Sequence, residues 1–115
     1  MRIGYRVSNN VIVIEPQGRL TVETELEFAS YFIRLLEAGH RQFALSLAEV
    51  PYIDSVGLGS IVRAYTSARR RGGDLTLLHV EGRNRHLLEI TKLLTVLQAE
   101  RSEEELAARS DQQII

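Results

Sequence analysis

The chain has 115 residues, with 14 Lys+Arg against 15 Asp+Glu, a net charge of -1 and no cysteine. That length suits one compact domain, and 44% hydrophobic with 25% charged residues argues against wholesale disorder. The charge balance excludes a global attraction for nucleic acid or anionic lipid, and the lack of cysteine excludes a disulfide framework, a thiolate metal site and a cysteine nucleophile.

Arg2 and Arg6 interrupt the start of the chain where a signal peptide needs an apolar run. No stretch approaches the roughly 20 apolar residues of a membrane helix. The expectation is a cytoplasmic domain with no direct membrane insertion.

Tyr5 and Val7, then the β-branched run Val11–Ile14, predict two strands joined by a tight polar turn at Ser8-Asn9-Asn10. Gly18 breaks this pattern. From Val22 to Ala38 the period becomes helical, with Leu26, Ala29, Phe32, Ile33 and Leu36 on one face and Gly39 as the stop. Glu23, Glu25 and Glu27 crowd its start, where the helix dipole favours negative charge.

Phe43–Leu47 predicts a short buried strand. A loop through Glu49-Val50-Pro51 and then Tyr52-Ile53 lead into a second helical period, with Leu58, Ile61, Val62, Tyr65 and Ala68 inward. It ends at Arg69-Arg70-Arg71 and Gly72-Gly73. Leu75–His79 predicts a strand, Arg83–Leu94 a helix burying Leu87, Ile90 and Leu94, and Val96–Ala99 a short strand. Ser102 and Glu105 form a capping box for a last helix to about Arg109, and residues 110–115 form a frayed tail.

Strands separated by helices predict crossover units. The expected fold is therefore α/β: residues 1–115 as a single domain, with a mixed, mainly parallel sheet of about five strands and four helices.

Most enzyme signatures fail. Gly57 and Gly59 match a dinucleotide fingerprint poorly, because Val62 stands where the third glycine belongs. His40, His79 and His86 lie too far apart, in unlike contexts, to build a metal site with a carboxylate. Ser55 sits between a strand and a helix, as a nucleophile elbow does, but Ile53 replaces the glycine that an elbow needs two positions earlier. No catalytic residue, metal or cofactor is expected.

Two readings of Ser55 remain open. It is a good N-cap for the helix that follows. It also stands beside Gly57 and Gly59, each of which costs up to about 1 kcal/mol in a helix. Two glycines in one turn imply close packing of helix on sheet, or a bare surface that a partner or a phosphate can approach.

The run Ile53-Asp-Ser-Val-Gly-Leu-Gly-Ser-Ile61 resembles the signature of the STAS domain family, the anti-sigma factor antagonists. Gly18-Arg19-Leu20, Ala68–Gly73 and Leu93-Leu94 also resemble that family at matching places. The resemblance implies a STAS-like fold and regulation by partner switching. It makes Ser55 the phosphoacceptor, and Asp54, Val56, Gly57, Leu58, Gly59 and Thr21 the partner-binding surface around it.

The implied partner is an anti-sigma factor that is also a serine kinase of the histidine-kinase-like ATPase fold, with a serine phosphatase reversing the modification. The free chain is expected to be a monomer. The pattern departs at Thr21, where many kinase-regulated members have aspartate, and at Ser46, where Asp or Asn is common. Thr21 also reads as a cap for the first helix. An alternative that the same resemblance implies is an interaction module without phosphorylation, such as a cytoplasmic subunit of a transporter or signalling assembly.

Arg69-Arg70-Arg71 reads as a solvated helix end, or as a contact for an acidic partner that Arg83 and Arg85 would extend. Nucleic acid is not an expected partner, since no aromatic platform is interleaved with these arginines.

Overall fold

The computed structural model describes residues 1–97 together with the backbone of residues 99–100. Asn9 and Asn10 take φ values of 52° and 65°. Two successive positive φ values give a hairpin turn whose twist suits its strands, and asparagine tolerates that conformation well. Strands β1 (Arg2–Ser8) and β2 (Val11–Gln17) accordingly pair antiparallel, from Ser8 opposite Val11 to Arg2 opposite Gln17.

Beyond β2 the chain alternates. It runs through α1 (Glu25–Glu37), β3 (Gln42–Ser46), α2 (Ser55–Arg70), β4 (Asp74–Leu78) and α3 (Gly82–Ile90). A short 3-10 turn (Leu93–Thr95) and β5 (Ala99–Glu100) follow. The sheet order is β1-β2-β3-β4-β5, with every pair after the hairpin parallel. Four strands form its body and the two-residue β5 adds a short edge.

A sheet wound in sequence order by right-handed crossovers carries its helices on one face. The core agrees. Ile12, Ile14, Phe43, Leu45, Leu75 and Leu77 of the sheet pack with Phe28, Phe32 and Leu36 of α1, Leu58, Ile61 and Ala68 of α2, and Leu88 of α3. Val13, Ala44 and Leu78 form a second cluster on the opposite face. The loops after β2, β3 and β4 therefore share the rim at the carboxyl ends of the strands, where open α/β sheets place their sites.

Several expectations are corrected. Helix α1 begins at Glu25 rather than Val22, and its inward stripe is Phe28, Phe32, Leu35 and Leu36. Leu26 is 72% exposed and Ile33 also lies at the surface. Two helical stripes overlap at Phe32 and Leu36, and the one that includes Phe28 buries more aromatic surface. Phe32 then meets the Phe43 ring at 4.7 Å between centroids.

In α2, Ala64 is buried while Val62 and Tyr65 are only half-buried. Helix α3 stops at Ile90, because Lys92 turns left-handed at φ 61°. Ile90 is consequently exposed, Leu87 and Leu94 are half-buried, and Leu88 and Asn84 are the residues that α3 buries. His79, at φ 57°, leaves β4 at Leu78. The last strand is Ala99–Glu100 rather than Val96–Ala99, since Val96 follows the 3-10 turn and is exposed. Among the described residues there are three α-helices. The fourth, expected over 102–109, and the tail 110–115 lie outside them.

The phase of α1 is open to a direct test. Phe28→Ala should cost about 3–5 kcal/mol in urea denaturation, as core aromatic truncations do. Leu26→Ser should stay within about 0.5 kcal/mol of the parent. The reverse order would restore the stripe through Leu26.

Candidate functional site

The loops after β2 and β3 are clasped together. The Gly18 N–H donates to the Glu49 carbonyl at 3.0 Å, Leu20 N–H to Tyr52 at 3.0 Å, and Asp54 N–H back to Leu20 at 3.2 Å. Leu20 and Ile53 thus form a parallel bridge outside the main ladder. On the other side, the buried Asn84 of α3 donates from Nδ2 to the Val50 carbonyl at 2.7 Å. Backbone groups that a free loop would leave to water are satisfied here by neighbouring segments, which orders the loop.

Asp54 completes the clasp with its side chain. Oδ1 accepts the Gly57 N–H at 2.8 Å, and Oδ2 accepts the Val22 N–H at 3.0 Å. One carboxylate thereby caps α2 and pins the approach to α1. The Gly57 N–H foremost, then those of Val22 and Val56, hold its carboxyl below the ordinary carboxylate range, against the desolvation that pushes it up.

The N-cap is therefore Asp54, not Ser55. Ser55 becomes the first helical residue, exposed, and its hydroxyl has no hydrogen-bond partner among the described residues. Asp54 also engages N–H groups at the helix end, so a phosphate on Ser55 would sit beside an acidic cap rather than in an empty cradle of donors.

The two glycines divide between the two readings. A Cβ on Gly57 would collide with the Leu20 carbonyl, so Gly57 serves close packing. A Cβ on Gly59 would meet only the flexible end of Arg63, at 3.3 Å, so Gly59 belongs to open surface. The residues expected around Ser55 divide likewise. Ser55 and Val56 are exposed and Gly59 half-exposed, while Gly57 and Leu58 are buried and support the surface from below.

Thr21 lines a cleft of about 670 Å³ together with Arg19, Glu23, Thr24 and Asp54; Ser55 does not line it. The N-cap of α1 is Thr24, so Thr21 is not that cap. Its carbonyl accepts the Glu25 N–H at 2.8 Å, and its Oγ1 accepts the Glu23 N–H at 3.3 Å. Ser46 is buried at the end of β3, where its Oγ accepts the Ala48 N–H at 3.4 Å.

Other surface residues of this rim escape a reading by motif. Val22 is 64% exposed although its N–H is held by Asp54, and Leu26 adds a second apolar side chain in the first turn of α1. The Arg19 and Arg83 guanidiniums both lie over the Tyr52 ring, at 5.4 and 4.4 Å from its centroid. Arg83 and Arg85 do not extend the Arg69–Arg71 run, because α2 starts at this rim and ends at the opposite one. Arg69 reaches Asp74 there at 3.9 Å, and Arg85 pairs with Glu89 along α3 at 3.1 Å.

The STAS domain family model matches residues 2–106, and the chain belongs to that family. A Thermotoga neapolitana protein, named for its likeness to an anti-sigma factor antagonist, is 31% identical over 90 residues, 77% of this chain and 80% of the relative. The anti-sigma-B factor antagonist of Bacillus subtilis is 26% identical over 97 residues, 84% of this chain and 88% of the relative. A Thermotoga maritima crystal structure with a similar description superposes with TM-score 0.87 and 25% identity, covering 93% of this chain and 92% of that one.

Two outcomes follow from the local geometry. Gly57→Ala should cost about 1–3 kcal/mol, the usual range for forced overpacking. Gly59→Ala should be neutral or stabilising by up to about 1 kcal/mol. Equal effects in thermal unfolding would remove the distinction between them. Because the Asp54 carboxyl is held below its ordinary range when folded, its contribution is full above its unfolded pKa and is lost as pH falls through the folded value. The melting-temperature gap between parent and Asp54→Asn should therefore be widest near neutral pH and close in acid; a gap independent of pH would contradict this.

Proposed function

We propose that this chain is an anti-sigma factor antagonist, a protein-binding switch worked at Ser55. The observation that carries this reading is the exposed Ser55 hydroxyl at the start of α2, without a partner among the described residues, beside a capping carboxylate and a loop clasped from both sides. Without a phosphate, the rim offers Ser55, Val56 and Gly59, flanked by Val22 and Leu26, to an anti-sigma factor. That partner is also a serine kinase of the histidine-kinase-like ATPase fold, and its capture frees the sigma factor. A serine phosphatase restores the unmodified form.

The physics of release is local. A phosphate adds about 1.5 to 2 negative charges at the centre of the contact surface. Asp54 beside it is already ionised, so the added charge meets repulsion instead of compensation. An interface shaped around a small hydroxyl then loses affinity through charge, bulk and desolvation. No hydrogen bond of the clasp involves the Ser55 side chain, so the scaffold stays as it is. In this reading residues 1–115 act as one domain, monomeric until the partner binds.

Incubation with the cognate kinase and ATP should add a single phosphate, found on Ser55 by mass spectrometry. Ser55→Ala should fold, bind the kinase and resist release. Ser55→Asp should fold with the parent's melting temperature yet bind about tenfold more weakly or worse, since like charges across an interface cost several kcal/mol. Unweakened binding by Ser55→Asp in calorimetry would overturn the local-charge account.

A further inference from the structure

An arginine held over an aromatic ring by cation–π attraction is partly ordered already and loses less freedom when its N–H groups are bound. Tyr52 carries two such guanidiniums, Arg19 at 5.4 Å and Arg83 at 4.4 Å from the ring centroid. The three residues come from three segments of the same rim: the loop after β2, the loop after β3 and the start of α3. Arg63, Arg69 and Arg85 each reach a carboxylate, whereas neither Arg19 nor Arg83 does so among the described residues. Tyr52 stands three residues before Ser55, at most about 10 Å along an extended chain. Arg19 also lines the cleft that Asp54 lines.

We propose that Arg19 and Arg83, held over the Tyr52 ring, form a docking site for an acidic protein segment that places paired side-chain carboxylates beside Ser55. This deepens the switch reading and rests on it, in that the rim is taken as the docking surface; it adds the chemistry of the partner segment that seats there. Each guanidinium keeps its own contact with the ring and presents its own fork of donors. Two monovalent carboxylates spaced along a peptide match that arrangement. A compact dianion matches it less well, because it offers one centre of charge to two separate forks. The arrangement also suits arginine rather than lysine at both positions, because an ammonium lacks the bidentate edge.

The test is an NMR titration of the isotope-labelled full chain with hexaglutamate, with hexaglutamine, inorganic phosphate and a six-nucleotide oligothymidylate as the other arms. Hexaglutamate should shift the Arg19 and Arg83 Nε–H signals several-fold more than those of Arg70 and Arg71 at the opposite rim, and hexaglutamine should shift neither pair. Affinity should fall at least tenfold in the double variant Arg19→Gln/Arg83→Gln. It should also fall in Tyr52→Leu and survive in Tyr52→Phe, with the amide spectrum of each variant confirming the fold. Equal shifts at Arg70 and Arg71, unchanged affinity in the double variant, or a larger response to phosphate or oligothymidylate would overturn the proposal. The titration needs no kinase and no modification of Ser55. Its failure with Ser55→Asp still weakening kinase binding would remove the docking site alone, whereas success with no effect of Ser55→Asp would remove the switch alone.

Discussion

The structure turns on the approach of the Leu20 carbonyl to the start of α2. That carbonyl accepts the Asp54 N–H and lies where a side chain on residue 57 would have to be. Helix α2 can come so close only because Gly57 has no Cβ. Once it does, the Asp54 carboxylate spans the gap to Val22, and the segments leading into α1 and α2 become one unit. The helical cost of a glycine is thus offset by a contact between segments far apart in sequence.

The same clasp divides the rim into a buried set and an exposed one. Gly57, Leu58 and Ile53 face inward and hold the rim; Ser55 and Val56 are exposed and Gly59 half-exposed. The acidic cap lies between the two sets. It uses the positive end of the helix for its own ionisation, which leaves Ser55 in a neighbourhood already committed to negative charge. Arginines held on Tyr52 supply the opposite sign on the same rim. The surface thus carries a patterned charge within a chain whose net charge is -1.

The order of strands and helices was legible because the apolar period switches cleanly between them, as at Val11–Ile14 and Phe43–Leu47. The Asn9-Asn10 turn was legible because its residues suit positive φ. The face of α1 was not, since two stripes share Phe32 and Leu36, and the choice between them is seen only in the burial of Phe28 in place of Leu26. The site followed the same division. Its position at a strand-to-helix junction came from local pattern, and the resemblance supplied its chemistry. The identity of the cap did not come from either, because Asp54 and Ser55 are both good N-caps and the choice is made by Val22, 32 residues away in sequence from Asp54. The cluster of Arg19, Tyr52 and Arg83 joins two loops and the start of α3, and no window along the chain contains it.

A scaffold clasped this way has a bearing on timing. Since none of the internal bonds among the described residues runs through the Ser55 hydroxyl, the switch proposed there would leave no record of its previous state in the backbone. In that proposal each visit by a modifying enzyme resets the surface completely, with no slow rearrangement to wait for. The speed of reversal in such a switch is then set by the abundance and turnover of those enzymes, and not by this chain.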